Sequence, residues 1–302
     1  MSRRLMAAVA AAVLLAACRG TPAPEGPAPT EGPRQRFPLT VTDDEGVEVT
    51  IHQPPRRIVT FAPSMTETLF ALGLGERILG VSGPFDDFPP AARDIPRVAG
   101  RGSTEPNIEE VVSLEPQLVL TAFIGGEWKD RLRELQVPVF TALAEDFEDA
   151  VADLVTVGRL TGAEEEAEAL ARNIRARARA VEDRADAEPT VTCFLELSDL
   201  FTVGPGALEF DLLQRAGCDP VTASAGDPYP QWSVEQLVED DPDVYLASEF
   251  GQSLEAVTDR PGIRDLTAVE EGRVYLVDGD LISRPGPRLV EGLEALAEAL
   301  HG

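Results

Sequence analysis

The sequence predicts an α/β protein of two lobes, each carrying a mainly parallel sheet, joined by a single long helix. Three observations point there. Strand-like and helix-like segments alternate over residues 38–145 and again over 189–302, the pattern of parallel sheets covered by helices. Between these runs, residues 146–188 are mostly helix formers. A cap–helix–Pro–strand pattern also occurs once in each run, at Asn107–Leu120 and at Ser233–Leu246.

At the N-terminus, Met1-Ser-Arg-Arg sets positive charge before an apolar run, Leu5 to Ala17. That run is shorter than the about 20 residues a bilayer-spanning helix needs, so residues 1–17 read as a secretory signal peptide. Leu15-Ala16-Ala17-Cys18 resembles the bacterial lipobox, which implies that Cys18 is lipidated and becomes the first mature residue. Several acyl chains there would anchor the protein to the membrane from the extracytoplasmic side, in the periplasm or at the cell surface. Residues 18–37 are rich in Pro and Gly and bury too little to fold, so they are expected to form a disordered tether.

The chain has 53 acidic and 26 basic side chains, a formal charge of −27. Such a surface repels phosphate backbones and anionic headgroups, which excludes nucleic acid as a partner and leaves the lipid as the only membrane contact. With Cys18 set aside, Cys193 and Cys218 form an even pair, expected to be a disulfide in an oxidising compartment. No histidine or further cysteine completes a tetrahedral set with them, so no metal site is expected, and no cofactor.

Leu39–Ile51 alternates apolar and polar residues about an acid-Gly turn and reads as a hairpin. In the first lobe, strands are expected at Arg57–Phe61, Ile78–Ser82, Leu118–Thr121 and Val137–Thr141. Helices are expected from a Ser64 cap to Leu72, at Ile108–Leu114 and at Glu127–Leu135. The linking segment is interrupted only around Gly158 and Gly162. Its second half runs from acidic to basic, matching the helix dipole. In the second lobe, strands are expected at Val191–Leu197, Val244–Ala247 and Val274–Val277, with helices at Ala207–Ala216, Val234–Val238 and Arg288–Leu300.

A family resemblance rests on particular segments. Pro55-Arg-Arg-Ile-Val-Thr-Phe-Ala-Pro-Ser-Met-Thr-Glu67 and its continuation to Gly75 resemble the opening of the cobalamin, haem and siderophore binding proteins of ABC importers. So do Ile78–Ser82, Asn107–Leu120, Gly272–Val277 and Arg284-Pro-Gly-Pro-Arg288. The resemblance implies two lobes flanking a rigid helix, with a small molecule held in the cleft between them and delivered to an ABC permease dimer. It implies a monomer. It also implies one glutamate per lobe that docks onto the permease, and Glu109 and Glu235 match those positions.

The vitamin B12-binding branch is the nearest by eye. Phe85-Asp-Asp-Phe-Pro-Pro90 is similar to that branch's aromatic-acid-aromatic loop, and Asp227–Ser233 to its second-lobe loop. Tyr229 stands where a corrin-contacting tryptophan would be, with Trp232 close by, and Phe123 falls near another aromatic contact. Ser103 occupies the position matched to a third contact tryptophan and departs from the pattern. A flat apolar macrocycle suits aromatic walls. Anionic ferric catecholates would instead need cleft cations, for which Arg101 and Arg284 are the candidates. A cobalamin-like cargo ranks first, an iron siderophore second and haem third.

Catalysis finds little support. His52 and His301 lie at the margins of the lobes, away from any nucleophile, and the sequence has no G-x-S-x-G elbow. A surface lipoprotein with a scaffolding role stays open as a reading from another class.

Overall fold

The computed structural model describes residues 37–98, 106–123, 125–249 and 252–302. The signal, Cys18 and the tether up to residue 36 lie outside the described residues, as do Arg101 and Ser103.

Strands β1 (Leu39–Thr42) and β2 (Glu48–Ile51) pair antiparallel in the expected hairpin. Its turn is held by the Asp43 carboxylate, which accepts from Glu45 N at 3.1 Å and Val47 N at 2.8 Å. The first-lobe sheet has β3 (Ile58–Phe61), β4 (Ile78–Val81), β5 (Leu118–Thr121) and β6 (Val139–Thr141), all parallel, in the order β4-β3-β5-β6. Every residue of β3 and β5 is buried, as parallel strands covered on both faces require. Helices α1 (Pro63–Ala71), α2 (Ile108–Ser113) and α3 (Glu127–Glu134) complete this lobe. Ser64 does not cap α1. Ala62 takes the extended N-cap conformation, Pro63 opens the helix where its missing N–H costs nothing, and Ser64 is buried inside.

The linking segment forms two helices, α4 (Phe147–Thr161) and α5 (Glu164–Ala185). The break falls at Gly162, which takes the left-handed φ of +76° that ends α4. The helices pack closely where Gly158 faces Ala167: a Cβ on Gly158 would stand 2.2 Å from that of Ala167. The 22 residues of α5 reach about 33 Å, so the long helix between the lobes is α5, with α4 folded back along it. The Arg175–Glu148 ion pair at 2.7 Å staples the two.

The second lobe contains β7 (Val191–Ser198), β8 (Phe201–Thr202), α6 (Leu208–Arg215), β9 (Cys218–Pro220), α7 (Val234–Asp240) and β10 (Val244–Ser248). After these come α8 (Leu254–Thr258), α9 (Thr267–Glu270), β11 (Val274–Val277), α10 (Gly279–Ile282) and α11 (Leu289–His301). The sheet runs β11-β10-β7, and the free edge of β7 pairs with β9 in parallel and with β8 antiparallel. Cys193 on β7 and Cys218 on β9 are joined by a disulfide, Cα–Cα 5.9 Å.

The internal repeat is structural. Asn107 caps α2 and Ser233 caps α7, each accepting from the backbone N–H three residues on. Each helix gives way to a left-handed acid before proline, Glu115 at φ +45° and Asp241 at φ +36°. Each then leads into a central strand, β5 or β10, that pairs with the first parallel strand of its lobe.

One apolar cluster runs from Val49 and Met65 in the first lobe through Leu154 and Ile174 to Leu213 and Leu293 in the second. Smaller clusters cover the outer faces, around Phe61 and Val139 in one lobe and Phe194 and Tyr245 in the other. A close-packed core shared by both lobes opposes hinge opening, because relative motion would create voids. Among the described residues no helix is long and apolar enough to cross a membrane.

Candidate functional site

A cleft of about 600 Å³ opens between the lobes, within the range of small-molecule sites. Its first-lobe wall comes from segments that follow β3, β5 and β6: Ala62–Ser64, Ala122–Phe123 and Ala142–Glu145. The opposite wall comes from the start of α6, the loop before α7 and the turn after α10, including Glu209, Tyr229 and Ser283–Pro285. Ligands of open α/β sheets bind outside the carboxyl ends of the strands for the same topological reason.

Phe123 and Tyr229 face this space from opposite lobes and are 47% and 50% exposed. Rings left this open on a rigid frame offer contact area at little entropic cost. The Phe123 loop is anchored from beneath by Lys129, the only lysine of the sequence, which is buried. Its ammonium donates to Phe123 O at 2.7 Å and pairs with Glu45 at 2.7 Å, while Gly125 N donates to the same carboxylate at 2.6 Å. Burial alone would raise the Glu45 carboxyl, but the hydrogen bonds from Lys129 and Gly125 outweigh it and hold the group below its usual range. The hairpin turn thus holds the aromatic loop in place.

On the other wall, the Tyr229 hydroxyl donates to Glu209 Oε2 at 3.3 Å. Burial pushes the Glu209 carboxyl up, against the hydrogen bonds from Ser283 and Tyr229. Burial and the neighbouring Glu209 carboxylate push the Tyr229 phenol up as well, so it stays a donor.

Beside the cleft, through Arg284 of its lining, the lobes are bonded directly. Glu67 of α1 is 3% exposed and accepts from Arg284 at 2.9 Å and from Arg288 twice at 2.8 Å. Arg288 in turn lies 3.9 Å over the Phe88 ring. Gly286 sits against Ser64 so closely that a Cβ there would stand 3.4 Å from its backbone.

The expected site residues divide accordingly. Phe123, Tyr229 and Arg284 line the cleft. Arg284 does so with its charge already matched by Glu67 and Asp280, so it is not a free anion receptor. Phe85 is 67% exposed but outside the lining, in a loop fixed by the buried Asp86, which accepts from Ser82, Thr66 and Gly83 N. Asp87 of that loop reaches Arg284 at 4.0 Å. Trp232 is not in the cleft: its indole donates to Asp240 at 2.9 Å and its ring packs on the second-lobe cluster. Glu109 and Glu235 are exposed in the first turns of α2 and α7. Crossover helices run opposite to their strands, so both acids sit at the cleft end of their lobes.

Four acids that composition could not single out, Asp44, Glu145, Asp149 and Glu209, also line the cleft. Among the described residues no Asp, Glu, His or Cys cluster is arranged to hold a metal.

Residues 58–281 match the family described as periplasmic binding protein. The chain is 32% identical over 304 residues to an uncharacterised ABC transporter substrate-binding lipoprotein of Bacillus subtilis, spanning 96% of this chain and 94% of that one. It is 33% identical over 308 residues to a cobalamin-binding protein of Halobacterium salinarum, spanning 97% and 83%. Among solved structures, an ABC-type Fe3+-hydroxamate transport protein of Saccharomonospora viridis superposes with a TM-score of 0.75 at 25% identity, over 88% of this chain and 100% of that one. The chain belongs to the periplasmic binding protein family, whose members hold solutes for transport and are not enzymes.

Proposed function

We propose that this chain is the lipid-anchored substrate-binding protein of an ABC importer, and that it captures a cobalamin-like corrinoid and delivers it to the permease. The observation that carries the cargo reading is the pair of half-exposed rings, Phe123 and Tyr229, facing one cleft from opposite lobes. A corrin presents a wide apolar face and an amide-bearing edge, which such walls and the polar groups around them suit. Similarity to a cobalamin-binding protein supports it. The lipobox at Cys18 and similarity to a substrate-binding lipoprotein support the anchor. A ferric hydroxamate is the second reading, favoured by the structural likeness to an Fe3+-hydroxamate transport protein.

A quenching screen of tryptophan fluorescence with cyanocobalamin, cobinamide, haemin and ferric siderophores tests the cargo. Saturable quenching by the corrinoids is expected, and saturation only by a siderophore or haemin would replace the assignment. Delivery is assigned to Glu109 and Glu235, exposed charges on a rigid body that would fix orientation and speed encounter. The Glu109→Arg/Glu235→Arg double variant should bind ligand normally but fail to stimulate the transporter ATPase. Full stimulation would make both acids simple helix-start residues.

A further inference from the structure

The cleft carries a feature that its role as a container does not require. A second pocket of about 240 Å³ borders it, and Asp44, Leu143 and Asp149 line both. At its wall lies Asp153 of α4, 8% exposed, with no hydrogen-bond or ion-pair partner among the described residues. The residue is largely buried, but its carboxyl oxygens stay open to the pocket, and a carboxyl with no protein partner at such a place is one that a ligand can complete. Burial, with Asp44 and Asp149 adding like-charge repulsion, pushes its pKa up to about 8. Those two carboxylates are the charged groups that face it, Asp44 from the hairpin turn and Asp149 from its own helix. The main cleft adds Glu145 and Glu209, and its single described cation, Arg284, is already paired.

Resting on the reading of this cleft as the ligand site, we propose that it selects cargo by edge charge. It admits a flat, apolar-faced molecule whose edge is neutral or cationic, directs an amide N–H or a cationic group of that edge into the pocket at Asp153, and rejects molecules edged with carboxylates or phenolates. Like charges brought to a partly desolvated site repel far more strongly than in water, whereas amide N–H and ammonium donors find acceptors there.

Matched probes separate the edge from the ring. Cobinamide and cobyrinic acid share a corrin but carry amides and carboxylates respectively. A tetrakis(N-methylpyridinium) porphyrin and a tetrakis(carboxyphenyl) porphyrin repeat the contrast on a different ring. The amide or cationic member of each pair should bind at least tenfold tighter at low salt, and the cationic porphyrin's advantage should shrink as salt rises. The Glu145→Gln/Asp149→Asn variant should narrow the gap by tightening the carboxylate probe.

Binding of the cationic porphyrin near pH 7, followed by calorimetry in buffers of different ionisation enthalpy, should release a proton that Asp153→Asn abolishes. Equal affinity within the pairs, or preference for the carboxylate member, overturns the proposal even if corrinoids bind. If neither corrinoid binds, the cargo assignment fails while the porphyrin pair still decides the charge rule. If neither porphyrin binds as well, the charge rule falls together with the cleft assignment. Proton release that persists in Asp153→Asn overturns the role of the side pocket.

Discussion

Replacing Glu67 by glutamine keeps its shape and removes the charge that ties the lobes together. The carboxylate is 3% exposed and receives three hydrogen bonds from two arginines of the other lobe. Breaking a buried pair by neutralising one member costs about 3–5 kcal/mol, because charge is left uncompensated. Two features reduce the loss. Arg284 keeps Asp280, and Arg288 keeps the Phe88 ring beneath it. We therefore expect Glu67→Gln to lose about 2–4 kcal/mol of unfolding free energy, a fall on the order of 10 °C in Tm.

Each lobe holds one tryptophan, Trp128 on α3 and Trp232 beside α7, so Trp→Phe variants report the lobes separately. In urea, the two reporters should give one coincident transition with Glu67 intact and begin to separate in Glu67→Gln, the accepted sign of lost two-state behaviour. A loss below about 0.5 kcal/mol, with coincident transitions, would refute the reasoning and leave the shared apolar core as the main tie.

Asp153→Asn tests the buried acid through pH. Its folded pKa, about 8, lies above the unfolded value, so the wild type should lose stability as pH rises through that window and level off above it. The shift sets a ceiling of about 5–6 kcal/mol, which water entry should reduce to about 2–3 kcal/mol. The variant should gain stability at pH 8 and not at pH 4, measured by urea unfolding, and an identical pH profile would contradict this. Lys129 should resist amine-reactive esters in the native state, since its ammonium is buried against Phe123 O and Glu45. Peptide mass spectrometry should find it acylated only as the Phe123 loop opens, and more slowly with ligand bound; rapid native labelling would show that the loop is loose.

The strands were readable because parallel strands buried on both faces are short, nearly continuous apolar runs, as at Ile58–Phe61 and Leu118–Thr121. β8 and β9 were not, because two or three residues carry no periodicity. At the start of α1, Ser64 is the stronger cap by residue type, but Pro63 at the first helical position carries the better signal. In the cleft, the segments around Phe123 and Tyr229 were legible by resemblance. Trp232 looked equivalent, but its place is decided by Asp240, across the length of α7. Glu67 and Arg288 stand 221 residues apart, and nothing local marks them as partners. Glu209 and Asp153 were invisible among 53 acids, where only burial makes one carboxyl unlike another.

The most direct test of the central claim is a calorimetric titration of cyanocobalamin into the wild-type protein and the Phe123→Ala/Tyr229→Ala double variant. Each ring is worth about 1–3 kcal/mol if it packs on the ligand. One-to-one binding to the wild type is expected, with an affinity at least about tenfold weaker in the variant. Absence of binding to the wild type, or unchanged affinity without the two rings, would contradict the claim.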